Sequence, residues 1–291
     1  MADRRCVFID FDGTFAQHGV APAEHAEAVA EARANGHLIL LSTGRPASIV
    51  APEVAALFDG VISSAGGHVR IGEEVLHDER FPAALGRRAV EVLLRHDVAF
   101  ALEAPDALWC SASAAKRIRA RVEAPAPGSG SEAGPGADPG AGAGSRAGIG
   151  NGPRDIVDAV RVPEDLGACS FAKISLWESR VPVEQLAAEI GPEVGALPNS
   201  ITTEDTSSGE LHLRTVDKAD GLLRTAEHVG LDVSATVAIG DGLNDLGMLR
   251  AAGTGISIEG ARDEVREAAR FEVPGPSEHG VVTAFQRLGL L

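Results

Sequence analysis

The run Asp10-Phe11-Asp12-Gly13-Thr14 stands directly behind a short apolar, β-branched stretch, Cys6–Ile9. Residues two apart on a strand project to the same side. The carboxylates of Asp10 and Asp12 can therefore reach one site at the strand's C-terminal end, where parallel α/β folds place their ligands. Two carboxylates at one site repel, and a divalent cation with a taste for oxygen ligands relieves that cost. Gly13 lets the chain turn sharply behind them. The competing reading is an acidic surface turn, since Asp-Gly is an ordinary turn pair. Its position behind a buried strand weighs against that.

Three further segments carry the same kind of signal. Gly240-Asp241-Gly242-Leu243-Asn244-Asp245 follows the apolar run Thr236–Ile239 and opens a helix. Carboxylates and amide donors at a helix N-terminus suit magnesium and phosphate together, although a turn with helix-capping residues explains the letters too. Ser42-Thr43-Gly44-Arg45 also follows an apolar run. Its hydroxyl and backbone N–H groups can hold phosphate oxygens, or it is a loop with a helix cap. Lys218 begins a helical stretch, the end at which the helix dipole disfavours a cation. Such a placement hints at a task, against the alternative of a solvated surface lysine.

The elements that must position these residues follow a strand–helix rhythm. Cys6–Ile9, His37–Ser42 and Val61–Ser63 read as strands, with helices over Pro22–Asn35 and Ser48–Phe58, the latter blemished by Pro52. After Lys218–Val229, a helix stopped by Gly230, come strands Thr236–Ile239 and Gly255–Ile258. Helices over Leu243–Ala251, Ala261–Ala269 and His279–Leu288 complete the chain. This alternation implies right-handed βαβ units and a Rossmann-like, doubly wound parallel sheet. The middle differs. Gly67–His77 reads as a hairpin, helices are expected over Pro82–Arg95, Ser113–Val122 and Val181–Ile190, and strands over Val98–Glu103, Ser170–Trp177, Ser200–Asp205 and Glu210–Arg214. The expected organisation is a core of residues 1–80 and 208–291 with an inserted α/β cap domain, residues 81–207. Inside the cap, 124–152 is a Gly/Ala/Pro/Ser tract too poor in apolar area to offset its ordering entropy, and it reads as a surface loop. Its GAGAG lettering lacks the strand and helix a dinucleotide site requires.

Composition narrows the class of partner. Of 291 residues, 26 are Lys or Arg and 42 are Asp or Glu, a net charge of −16. That balance repels nucleic acid and anionic membranes, so a phosphate site must build its positive field locally. Cys6, Cys110 and Cys169 are scattered and odd in number, which fits reduced thiols rather than a disulfide framework or a zinc site. The N-terminus turns acidic too soon for a secretion signal, and no apolar run is long enough to span a bilayer, so the cytoplasm is the expected compartment. The nine histidines show no metal-ligand spacing. Oligomeric state is left open.

Taken together and in this order, DFDGT, STGR, Lys218 and GDGLND resemble the haloacid-dehalogenase-like superfamily, and more narrowly its Cof-type branch with a class II cap. The closing segment Phe271–Phe285, with His279-Gly280-Val281, is also similar. The resemblance implies a phosphatase in which Asp10 attacks phosphorus and becomes an aspartyl-phosphate, while Asp12 acts as general acid and then general base. It implies Mg2+ on Asp10, the backbone carbonyl of Asp12 and Asp241, with Asp245 completing the shell or orienting its waters. Thr43 and Lys218 would hold the transferring oxygens, with Asn244 as helper. The cap would close and read the leaving group of a small phosphorylated metabolite, such as a sugar phosphate. Two positions depart from the pattern: Ala65-Gly66 stands where an Asn-Gly pair is usual, and Gly260 where an Asn usually precedes Ala261. The 124–152 tract is an elaboration the family pattern leaves unexplained. In the cap, Lys116, Arg117, Arg119 and Arg121 read as a solvated helix face or a second anionic contact, and Trp109 and Trp177 as cap core. A sugar phosphomutase of the same fold and a non-catalytic phosphometabolite-binding protein are the alternative functions.

Overall fold

The computed structural model describes residues 4–123, 149–198 and 207–291. Its strands in chain order begin with β1 (Cys6–Ile9), β2 (Val20–Ala21), β3 (Leu38–Ser42), β4 (Gly60–Ser63), β5 (His68–Ile71) and β6 (Glu74–Asp78). Then come β7 (Ala99–Glu103), β8 (Leu108–Trp109), β9 (Ile149–Gly150), β10 (Val160–Arg161), β11 (Lys173–Ser179), β12 (Val194–Pro198) and β13 (Ser207–Leu213). The last are β14 (Thr236–Gly240), β15 (Thr254–Ile258) and β16 (Phe271–Val273).

Eight strands form one sheet in the order β16-β15-β14-β1-β3-β4-β5-β6. The first six run parallel, and the β5–β6 hairpin closes one edge antiparallel. The alternation of β1 explains the double winding. Val7 and Ile9 face one layer, built with helices Ala23–Ala34 and Gly280–Leu288, through Val29, Val281 and Phe285. Cys6 and Phe8 face the other, built with helices Lys218–His228 and Leu246–Ala251, through Leu222, Met248 and Leu249. A strand buried on both faces reads as a continuous apolar run. Each such side chain contributes about 1.5–3 kcal/mol by leaving water. The chain leaves β1 toward β3 on one side and returns through β14 on the other. The ends of these three strands thus meet where strand order reverses, and each carries one of the motifs.

The second sheet runs β10-β8-β7-β11-β13-β12. One face packs on helices Ala83–Arg95 and Val183–Ile190, through Phe100, Leu102, Ile174 and Leu211. The alternate residues of the same strands, Glu103, Lys173 and Glu210, line the cavity facing the first sheet. The expected crossing back to the core at residue 208 falls inside β13, which among the described residues pairs with β11 and β12. The chain leaves the second sheet at Arg214–Asp217 instead, because Leu211 and Leu213 are needed to fill its core.

Other elements differ locally. Ser48–Phe58 is a single 3-10 turn, Ala47–Ile49, followed by a short helix, Pro52–Ala55, that Pro52 starts rather than kinks. The glycine-rich tract is not loop throughout. Residues 124–148 lie outside the described residues, but Ile149–Gly150 forms β9 and pairs antiparallel with β2. Asn151 follows, its Oδ1 accepting the Ala51 N–H at 2.6 Å. The expected strand Ser200–Asp205 also lies outside the described residues. Among the described residues no helix is long and apolar enough to cross a membrane.

Candidate active site

Asp10 extends β1 by one residue, donating its N–H to the Ile239 carbonyl of β14 at 2.9 Å. Beyond it the chain coils tightly, with the Phe15 N–H donating to the Asp10 carbonyl and the Ala16 N–H to that of Phe11. Gly13 takes φ +90°, and a Cβ there would sit 2.4 Å from Asp241 Oδ2, so only glycine fits this approach. Thr14 donates its hydroxyl to Asp241 Oδ1 at 2.9 Å. The loops after β1 and β14 are thereby locked together, which brings two motifs 231 residues apart in numbering into one site (Asp10 and Asp241).

One carboxylate oxygen from each of Asp10, Asp241 and Asp245 lies within 4.8 Å of the others. Asp245 is wholly buried. Its Oδ2 accepts the N–H groups of Asp241 and Gly242 at 3.1 and 2.9 Å, and its Oδ1 accepts from Lys218. Lys218 opens helix Lys218–His228, whose N-cap, Asp217, accepts the Ala219 N–H. Its fully buried Nζ donates to Asp10 Oδ1 and Asp245 Oδ1, each at 2.6 Å. Burial alone would lower the lysine pKa, but the two carboxylates more than offset it and hold the ammonium charged. Burial, and then the Asp245 charge, push the Asp10 carboxyl well above its usual range against the pull of Lys218. Burial and Asp245 raise Asp241 as well. One ammonium thus faces three carboxylates, a surplus of negative charge lined with hard oxygen donors. That donor set fits a divalent cation such as Mg2+.

Asp12 behaves differently from the strand-based expectation. The chain leaves strand geometry after Asp10, so Asp10 faces inward to Lys218 while the Asp12 side chain is half exposed. Arg45 grips it with both arms: Nε donates to Oδ2 and Nη2 to Oδ1, each at 2.7 Å. The guanidinium lies 5.2 Å from the centre of the Phe11 ring. The Asp12 carboxylate therefore stands apart from the three-carboxylate cluster, although it lines the same cavity. Thr43, at the end of β3, is buried. Its Oγ1 accepts the Arg45 N–H at 3.1 Å, which leaves its O–H free to donate. The cavity, about 410 Å³, is lined from this side by Asp10, Asp12, Thr43, Asp241 and Asn244. That volume lies within the roughly 300–1,000 Å³ typical of small-molecule sites.

The two departures from the expected pattern have local explanations. Ala65 holds φ +56°, ψ +32°, the left-handed conformation that an asparagine adopts with less strain. Gly260 sits at φ +84°, where glycine meets the same requirement at no steric cost. The basic run of the cap divides. Arg117 pairs with Glu178 and Asp97 on the cap itself, whereas Arg121 reaches the mouth of the cavity and donates to the Trp177 carbonyl at 2.9 Å. Trp177 lines the cavity, and Trp109 packs on the cap core. Sequence reasoning gave no role to Thr14, Arg45, Glu103, Lys173 or Glu210. The available signal for the last three was a charge inside an otherwise apolar strand.

A family model described as haloacid dehalogenase-like hydrolase matches residues 7–135 and 149–285, so the chain belongs to that family. The resemblance to its Cof-type branch, drawn from the motifs, holds. Over its full length the chain is 24% identical to the Bacillus subtilis 5-amino-6-(5-phospho-D-ribitylamino)uracil phosphatase YwtE, covering 98% of each chain. A shorter match, 41% identical over 76 residues, is to a phosphoglycolate phosphatase of Archaeoglobus fulgidus; it covers 26% of this chain and 34% of that one. Among solved structures, the fold matches the phosphatase BT1666 of Bacteroides thetaiotaomicron with a TM-score of 0.71 at 22% identity, covering 99% of this chain and 96% of that one. The subclass IIB sugar phosphatase BT4131 matches with the same TM-score, 0.71, at 19% identity, covering 99% and 100%.

Proposed function

We propose that the protein is a Mg2+-dependent phosphatase that hydrolyses phosphate monoesters of small metabolites, sugar phosphates or similar compounds, through an aspartyl-phosphate on Asp10. The observation that carries this reading is Lys218, buried and donating to both Asp10 and Asp245 beside the third carboxylate, Asp241, in a cavity of metabolite size.

Asp10 is the carboxylate that faces both the cavity and Lys218, which suits it as nucleophile. Asp10, Asp241 and the backbone carbonyl of Asp12 would hold Mg2+. Both oxygens of Asp245 are already engaged by Lys218 and backbone N–H groups, which favours an orienting role for it. The cation, when bound, lowers the repulsion between an anionic nucleophile and an anionic phosphate. The free Thr43 hydroxyl, the Lys218 ammonium and the Asn244 amide would hold the transferring oxygens. Asp12 gives a proton to the leaving alkoxide and then takes one from the hydrolytic water. To do so it exchanges part of its Arg45 pairing for the leaving-group oxygen. The second sheet covers the phosphate site and excludes water during transfer.

Release of 4-nitrophenol from 4-nitrophenyl phosphate, with and without Mg2+, tests this. Turnover should require the cation and vanish in Asp10→Asn. Undiminished turnover by Asp10→Asn, or none by the parent protein, would end the reading.

A further inference from the structure

The cavity has a second wall that the phosphate chemistry does not use. On the open face of the second sheet, β7, β11 and β13 run side by side, and their register sets Lys173 opposite Glu103 and Ser175 opposite Glu210. Lys173 is almost wholly buried. Its Nζ lies 2.8 Å from Glu210 Oε1 and 3.2 Å from Glu103 Oε2, and donates to the carbonyl of Gly44, the residue after Thr43. The ammonium thus faces three acceptors of this chain, the Gly44 carbonyl and the two carboxylates, while each carboxylate keeps acceptor positions open. Glu103 is 5% exposed, and its Oε2, within ion-pair reach of Lys173, has no well-aligned hydrogen-bond donor among the described residues. Glu210 is partly exposed to the same cavity. An ionised carboxylate offers about four acceptor positions, and a buried acceptor left unmatched costs about 1–3 kcal/mol. The nearby indole N–H of Trp177 is taken by Ser175 Oγ at 3.2 Å. Beside the hydroxyls of Ser175 and Ser208, this wall presents carboxylate acceptors, and its ammonium and indole N–H are turned to oxygens of the chain itself.

We infer that Glu103, Lys173 and Glu210 are the specificity-determining residues for the leaving group, with Lys173 holding two carboxylates that accept hydrogen bonds from substrate hydroxyls. The inference rests on the phosphatase reading above. A polyhydroxylated leaving group brings donors that these carboxylates can accept. A leaving group ending in a carboxylate brings more acceptors and a like charge, and the exposed Arg121 at the mouth stands outside the enclosed cluster. An ammonium-bearing group would meet Lys173 itself. The bond from Lys173 to the Gly44 carbonyl fixes the distance between this wall and the loop that holds Thr43. The leaving group is thus measured from the phosphate outward.

The test compares kcat/KM for sorbitol 6-phosphate, 2-phosphoglycolate and 4-nitrophenyl phosphate in the parent protein, Glu103→Gln and Glu210→Gln. The parent should favour the sorbitol ester over phosphoglycolate at least tenfold. In each variant the ratio of sorbitol ester to nitrophenyl ester should fall at least tenfold, mostly through KM. Glu210→Gln, at a partly exposed position, guards against misfolding of the buried variant, and each variant's unfolding midpoint is measured alongside. Turnover of the nitrophenyl ester with phosphoglycolate preferred, or with the ratio unmoved by both variants, overturns this inference and leaves the phosphatase reading standing. Absence of all turnover overturns both.

Discussion

Replacing Lys218 by methionine keeps the buried stem and removes only the charge. In the structure that charge lies 2.6 Å from an oxygen of Asp10 and 2.6 Å from an oxygen of Asp245, both buried. At an effective dielectric near 20, each contact is worth roughly 6 kcal/mol of attraction. Taking the ions out of water costs several kcal/mol apiece, so most of that gain is cancelled in the intact protein. Deletion is asymmetric, because the carboxylates stay buried while their partner is gone. The expected loss is about 3–5 kcal/mol. For a chain of this size that corresponds to a fall in Tm of roughly 6–20 °C, read by circular dichroism in EDTA. Added Mg2+ should restore part of the loss, since a dication at Asp10 and Asp241 supplies the missing positive charge. A variant melting within about 2 °C of the parent in EDTA would refute the reasoning. It would mean that the carboxylates do not depend on the lysine for their burial.

Thr43→Val removes the free hydroxyl while keeping the shape, and kcat toward 4-nitrophenyl phosphate should fall about 10²–10³-fold; a loss under about threefold would leave Thr43 without a role in transfer. Mg2+ at about 100 times its Kd should raise the parent's stability by about 2.7 kcal/mol, and this increment should disappear in Asp241→Asn, as followed by urea denaturation. Gly13→Ala should abolish the same increment, because its Cβ would press on Asp241 at a φ of +90°; an intact Mg2+ response would contradict the packing described for that turn. The pH dependence of stability follows from buried histidines. His25 sits between the Phe15 carbonyl, 2.8 Å from Nδ1, and the Val281 N–H, 3.4 Å from Nε2, an arrangement only the neutral ring satisfies. Burial, opposed by the Phe15 bond, lowers its pKa, and burial lowers those of His37, His68 and His212. Below about pH 6.5 the unfolded chain binds protons that the native histidines refuse. The histidines' contribution to stability is therefore full above that pH and falls as the pH drops from there toward the lowered values, while the raised carboxyls of Asp10 and Asp241 act in the opposite sense. His25→Leu should flatten the urea-midpoint profile between pH 7.5 and 5.5; an unchanged slope would count against this assignment.

The sequence carried the phosphate half of the site more openly than the leaving-group half. Asp10, Thr43 and Asp241 each stand just past an apolar strand, and parallel strands deliver their C-terminal ends to one edge, so local pattern sufficed to bring them together. Lys218 was betrayed by its position at the unfavourable end of a helix dipole. Asp12 was half legible. Its membership of the cavity followed from the strand, but its outward turn to Arg45 depends on the coil after Asp10, which alternation does not describe. Glu103, Lys173 and Glu210 were opaque because nothing local links them. They meet through antiparallel register among three strands separated by as many as 107 positions, from 103 to 210. The short strands β8, β9 and β10, two residues each, carry too few side chains to show any period.

The pairing of β9 with β2 bears on how the cavity can widen. Val20–Ala21 belongs to the segment just beyond the nucleophile loop, and Ile149–Gly150 precedes the helix that leads into the second sheet. The Asn151 N–H also donates to the Gly19 carbonyl at 2.8 Å, extending the contact by one residue. The polypeptide thus stitches its two halves along a seam on one flank of the cleft, besides the covalent crossings near residues 79–82 and 214–217. A jaw sewn at one corner cannot lift evenly. While these bonds hold, the two halves stay joined at Gly19, and the cleft can widen only on the flank away from it.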